Sequence, residues 1–151
     1  MRKQRKVANP LQLIAGKQPL GHDADNLALP LLVHLDEIRT GYGRNESIRI
    51  VTIYLKAMLS CVNNTDTKRN DTLIRYMAEA GRAWLASGEN CMNKGIHDRV
   101  TLTGNDWRVI SRAVRMFLMI MPQIPLYIWS GAITQARDIW DSAANLSSPQ
   151  H

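Results

Sequence analysis

Apolar side chains recur at helical spacing through most of this chain, and the interruptions divide it into five predicted helices. Leu27, Leu31, Leu35 and Ile38 fall three or four positions apart, the repeat that puts side chains on one face of a helix. Asp23 or Asp25 is placed to cap this first helix. The run Thr40-Gly41-Tyr42-Gly43 ends it, because glycine readily takes the left-handed conformation of a C-cap. Pro30 falls inside the pattern and predicts either a later start or a kink. A second helix is predicted from a cap at Asn45 to about residue 62. It is apolar nearly all round apart from Arg49, Thr52, Lys56 and Ser60, as expected of a central helix. The third covers residues 68–86, with Leu73, Met77, Ala80, Trp84 and Leu85 inward and Arg75, Glu79 and Arg82 outward; Gly88 follows its end. Residues 89–104 are the least regular, and residues 97–103 fit a short strand for which the chain offers no partner. Thr103 or Asn105 caps a fourth helix running to about residue 121. Pro122 and Pro125 then mark a corner, and a fifth helix continues to about residue 144.

Short connections make neighbouring helices antiparallel, so the predicted fold is all-α, a compact bundle of about five helices. Residues 1–9 read as a flexible basic tail, residues 10–145 as a single helical domain and residues 146–151 as a second flexible tail. Within the domain, residues 10–21 fit an extended arm or a single helical turn packed on the bundle. The totals agree with this division. At 151 residues, 45% hydrophobic and 21% charged, the chain is long enough for one core and too apolar for wholesale disorder.

Residues 116–129, MFLMIMPQIPLYIW, contain Gln123 as their only polar side chain. A membrane-spanning helix takes about 20 apolar residues, and this run also holds two prolines. A buried helix–turn–helix corner is the expected reading. The basic start is not followed by the apolar stretch of a secretory signal, because Pro10, Gln12, Gly16 and Lys17 interrupt it. Cys61 and Cys91 are too few for a disulfide framework, and the expected compartment is a reducing cytosol.

No constellation in the sequence carries legible chemistry. Cys91 and His97, with Cys61, His22 and His34 elsewhere, lack the paired short spacings of a structural zinc site. Cys91, His97 and Asp98 are the near-neighbour trio for nucleophilic catalysis, but such triads assemble from distant positions. The acid pairs Asp23/Asp25, Asp36/Glu37 and Asp138/Asp141 fall where helix capping or an exposed helix surface accounts for them. Gly41-Tyr42-Gly43 follows a helix rather than the strand that precedes a phosphate-binding loop. No catalytic residue, metal or cofactor is assigned, and the chain is not expected to be an enzyme.

Charge and apolar surplus are more informative. The formal charge is +6, and removing Arg2, Lys3, Arg5 and Lys6 leaves +2, so the basicity is mostly a property of the tail. Arg108, Arg112 and Arg115 share one face of the fourth helix, and Arg75 and Arg82 line the third. An arginine stripe beside a basic tail is the footprint of phosphate-backbone binding. One expectation is therefore a DNA- or RNA-binding regulator using Arg2, Lys3, Arg5, Lys6, Arg108, Arg112 and Arg115. The bland counterpart is a solvated face with intramolecular ion pairs. A second expectation starts from Trp107, Ile110, Val114, Phe117 and Met121, which form one apolar face of the fourth helix, while Met116, Met119 and Ile120 spill onto another. Trp129 and Trp140 lie on one side of the fifth helix. Met116, Met119, Ile120, Trp129 and Trp140 are accordingly candidate protein-binding residues, with burial in the protein's own core as the competing account. A symmetric dimer through the last two helices also fits this surplus.

Several short motifs point the same way. The opening Met1-Arg2-Lys3-Gln4-Arg5-Lys6, then Asn9-Pro10-Leu11, Pro19-Leu20, Leu29-Pro30, the Arg39-Thr40-Gly41 turn and the Leu102-Thr103 lead-in to two closing helices resemble a group of small accessory proteins carried by phages and prophages of proteobacteria. The resemblance covers most of the chain, and some members of the group are described as transcription regulators. It implies an accessory protein of the host cytoplasm that binds a bacterial host protein, such as a regulator or a defence component, and blocks or redirects it. It transfers no DNA-contact residue to this sequence.

Overall fold

The computed structural model describes residues 16–64 and 71–147. Among them are five α-helices: α1 (Asp23–Arg39), α2 (Asn45–Asn64), α3 (Asp71–Asn93), α4 (Gly104–Ile120) and α5 (Leu126–Ser147), with a 3-10 turn at Met121–Gln123 before α5. The described residues contain no β-strand, so the short strand predicted over residues 97–103 does not form. Its backbone is used otherwise. Val100 is buried, and the Thr101 N–H donates to Cys91 Sγ at 3.4 Å.

The near-continuous apolar surface of α2 makes it the centre of the bundle. It packs against α1, α3 and α5 at once, burying Val51, Ile53, Leu55, Ala57, Met58, Cys61 and Val62. Two of its polar groups tie it to its neighbours. Thr52 Oγ1 accepts from the Trp84 indole N–H at 2.9 Å and donates to the Ile48 carbonyl. The Tyr54 hydroxyl donates to the Leu27 carbonyl at 2.8 Å, tying α2 to α1. Among the described residues no buried side-chain N or O lacks a hydrogen-bond partner, as folded interiors require.

Helix ends follow their glycines, with one correction. At the end of α1 the Tyr42 N–H reaches the Glu37 carbonyl and the Gly41 N–H that of Ile38, with Gly41 at φ +86°. This is a Schellman stop. The same device closes α3 at Gly95 (φ +79°), not at Gly88 as the sequence predicts. Gly88 lies inside the helix, because Ser87 and Cys91 continue the inward stripe of Leu73, Met77, Ala80 and Trp84. Both are small, and neither reads as a core residue in a hydropathy pattern. The start of α1 also differs from expectation. Its N-cap is His22, without a side-chain cap bond, while Asp23 and Asp25 sit within the first turn, where their charge complements the helix dipole. Pro30 is accommodated mid-helix. It lies on the exposed side together with Asn26, whose carbonyl loses its helical donor because proline has no N–H. Thr103 caps α4 as predicted, its hydroxyl accepting from the Asp106 N–H at 3.1 Å.

The apolar run of residues 116–129 is the predicted corner. Met121, Ile124 and Trp129 are buried there, and no helix among the described residues is long and apolar enough to cross a membrane. A backbone strap closes over the corner. The Leu20 N–H donates to Ile124 O (2.9 Å), Gly21 N–H to Pro122 O (2.8 Å) and Leu126 N–H to Gln18 O (2.9 Å), with an isolated bridge pairing Pro19 and Pro125.

Candidate functional site

The outer surface of α4 is where the sequence-assigned residues converge. Arg108, Arg112, Arg115 and Met119 follow one another four, three and four positions apart, so they stack in a single line on the helix. All four are exposed, with Met119 at 79%. At 1.5 Å per residue the ridge is about 16 Å long, three helical turns. The two candidate sets, one for a protein and one for nucleic acid, therefore overlap on one face.

On one flank the ridge meets α3. Two contacts between these helices and one from the segment leading into α4 fix an antiparallel register: Arg112 Nη2 to Glu79 Oε2 at 3.4 Å, Ser87 Oγ to Asp106 Oδ2 at 3.0 Å, and Cys91 Sγ with Thr101 Oγ1 at 3.5 Å. That register sets Arg75 level with the Met119 end of the ridge and Arg82 level with the Arg108 end. Five exposed arginines thus lie on the outer sides of α3 and α4, and Arg112 among them pairs with Glu79. Arg112 and Arg75 both stand over the Tyr76 ring, their guanidinium carbons 4.0 and 5.6 Å from its centroid. Among the described residues Arg75, Arg82, Arg108 and Arg115 form no ion pair with a carboxylate. Arg115 donates instead to the Ser111 carbonyl of its own helix at 3.4 Å.

On the other flank α1 and α4 enclose an open groove of about 430 Å³, lined by Leu32, Leu35, Asp36, Trp107, Ser111, Val114 and Arg115. Trp107 is half-buried in it, with the Arg39 guanidinium 5.7 Å from its ring centroid. Arg39 is in turn held by Asp36 at 2.7 Å. Leu32 is 40% exposed at the groove and Leu29, one turn earlier on α1, is 54% exposed. This face thus joins an apolar floor to a cationic edge.

The other sequence-assigned residues lie elsewhere. Met116 and Ile120 turn toward α3 and are half-buried against the core. Trp129 is a correction to the expected surface anchors. It is 4% exposed and packs on Tyr54 and Phe117, with ring centroids 5.8 and 6.2 Å away. The physical reason is that α5 packs its apolar stripe against α2, and Trp129 is on that side. Trp140, on the same side three turns later, is half-buried against the core cluster. Arg2, Lys3, Arg5 and Lys6 lie outside the described residues. Cys91 Sγ meets Thr101, whereas His97 and Asp98 are exposed. Among the described residues no three His, Cys, Asp or Glu side chains gather as a metal site would require.

One polar cluster is invisible in the sequence pattern. Ser47, 2% exposed, donates to Glu37 Oε2 at 2.8 Å and accepts from the Arg44 N–H at 3.3 Å. His34 Nδ1 lies 3.1 Å from Glu37 Oε2 and 3.3 Å from Ser47 Oγ. The Ser47 hydroxyl, and after it the His34 ring, hold the Glu37 carboxyl below its ordinary value. The residue types match a catalytic triad, but the geometry does not. In a triad the serine and the acid engage opposite ring nitrogens, whereas both partners here approach Nδ1 and the serine proton goes to the carboxylate. The cluster is a clasp between the end of α1 and the start of α2. The His34-x-x-Glu37 spacing is the one hint the sequence contains.

Scans of this chain against protein-family models, curated proteins and solved structures return no match.

Proposed function

We propose that this protein acts by stoichiometric binding, docking a bacterial host protein on the α4 ridge and the adjoining α1–α4 groove and thereby modulating or inhibiting it. Met119 carries the reading. A methionine 79% exposed, at the end of a line of three arginines on the helix that also borders the groove with exposed Leu32, is an adaptable apolar contact surface. The phage-protein resemblance supplies the context of an accessory factor in the host cytoplasm. The test is affinity purification of the tagged protein from bacterial lysate, with and without nuclease, alongside Met119→Asp. A near-stoichiometric protein that survives nuclease and disappears with Met119→Asp is the expected result. Retention of every companion by a folded Met119→Asp protein refutes the assignment of this face.

The second reading is a DNA- or RNA-binding regulator, favoured by the arginines of α3 and α4 that lack carboxylate partners. It requires an affinity whose logarithm falls with log salt at a slope of roughly one per phosphate contacted. Absence of oligonucleotide binding at low salt removes it.

A further inference from the structure

We infer that the α4 face recognises an acidic amphipathic helix of a partner protein, whose carboxylates pair with Arg108 and Arg115 while its apolar side chains cover Leu32, Trp107 and Met119. This rests on the docking reading above and names the chemistry of the partner.

Charge complementarity is the first support. Arg75, Arg82, Arg108 and Arg115 have no carboxylate partner among the described residues. Arg112 shows how a carboxylate is received on this surface. It is braced on Tyr76 and meets Glu79 from the neighbouring helix, a preformed example of the pairing that a partner would extend along the ridge. The second support is shape. Two neighbouring helices, α1 and α4, with a groove between them accept a third helix by ridge-into-groove packing. The ridge length of about 16 Å equals three turns of such a helix. A residue of the incoming helix placed over Trp107 brings positions one and eight residues away level with Arg108 and Arg115.

The mixture of groups also sorts peptide from phosphate backbone. Exposed Met119, Leu29 and Leu32 gain only from hydrocarbon cover, which a phosphate backbone does not offer. Glu79 sits beside Arg112 on the α3 flank and Asp36 at the rim of the groove. Both repel phosphates laid along this face, whereas a peptide accommodates them with a single lysine or arginine of its own.

The experiment is a display selection of random 16-residue peptides on the immobilised full-length protein, repeated on the variants Arg108→Glu/Arg115→Glu and Met119→Asp. All three positions are solvent-exposed, and thermal melts check that each variant keeps the wild-type fold. The wild type is expected to enrich peptides rich in Asp and Glu with apolar residues at helical spacing. The best of them should bind the charge-reversed protein at least about tenfold more weakly, through lost pairing and steering. No enrichment, enrichment without acidic bias, or peptides that bind the charge-reversed protein equally well overturns the inference. A 20-nucleotide DNA, single- or double-stranded, that binds more tightly than the best peptide and is lost in the arginine variant overturns it in favour of a phosphate backbone. Loss of peptide binding in Met119→Asp but not in the arginine variant leaves the docking reading standing and removes the acidic partner. Loss in neither removes both.

Discussion

Replacing Trp129 separates a core role from a docking role at the residue where sequence and structure differ most. Its side chain is 4% exposed and wedged between Tyr54 of α2 and Phe117 of α4, so one indole joins three helices. Trp129→Ala removes the ring from a packed interior, which typically costs about 3–5 kcal/mol through lost transfer energy and the cavity left behind. Loss of two tilted aromatic contacts, at about 0.5–1.5 kcal/mol each, favours the upper part of that range. For a chain of this size each kcal/mol moves the midpoint by about 2–4 °C, so a drop of about 8–20 °C is expected. Trp129→Phe keeps most of the ring and should lose less than half as much. Urea unfolding followed by circular dichroism measures both variants, with Met119→Asp as the surface comparison, expected within about 0.5 kcal/mol of wild type. A loss below about 1 kcal/mol for Trp129→Ala, together with more than 2 for Met119→Asp, would reverse the assignment of which side chain is core and which is surface.

Three further outcomes follow from the geometry. Glu37 has a depressed carboxyl in the fold, so its stabilisation is present above its unfolded value and lost as pH falls through the folded one. Ser47→Ala should raise the Glu37 midpoint, read by carboxyl NMR titration, and flatten the acid limb of stability; an unchanged midpoint contradicts the clasp. Burial pushes the Cys61 thiol up to about 12, and a buried thiol in this state is a poor nucleophile. The native protein should therefore label far more slowly at Cys61 than the urea-unfolded chain at pH 8, and equal rates exclude the buried placement. A Cβ at position 43 would stand 2.6 Å from Ile38 Cγ1, so Gly43→Ala should cost about 1–3 kcal/mol in chemical denaturation. Gly81→Ala, where nothing lies within 4 Å of the new atom, should instead gain about 0.5–1 kcal/mol. Equal effects at the two positions argue against the tight Gly43–Ile38 approach.

The parts of the fold legible in the sequence are those set by local physics. The all-round apolar surface of α2 predicts its central place, the Thr103 hydroxyl predicts the start of α4, and Gly41 predicts the stop of α1. The end of α3 is hidden because Ser87 and Cys91, its last inward residues, do not register as hydrophobic. Their burial depends on Asp106 and Thr101, reached only after the chain has reversed. Residues 116–129 illustrate the same limit at the candidate site. Met119 and Trp129 are both apolar members of one run, yet one is outermost and the other enclosed. Only the placement of α2 beside α5, and of open solvent beside the α4 ridge, distinguishes them. The arginine spacing predicts a shared face correctly, while the encounter of Arg112 with Tyr76 and Glu79 depends on a register between helices that no spacing along one helix encodes. The His34, Glu37 and Ser47 clasp likewise spans a turn, and its geometry rather than its composition departs from a serine–histidine–acid triad.

The strap over the α4–α5 corner bears on how the chain reaches this state. Residues 18–21 exchange backbone hydrogen bonds with residues 122–126, so a contact near the beginning of the fold waits for one near its end. Because the paired segments are separated by roughly a hundred residues, closing this loop is entropically costly, although its cost rises slowly with length. During synthesis, α1, α2 and α3 leave the ribosome while Leu20 still lacks its seat. The corner must emerge before that seat exists, so the strap works as a completion latch. A chain interrupted before the corner leaves the latch open, presenting Leu20 and unpaired backbone groups to whatever machinery surveys unfinished proteins.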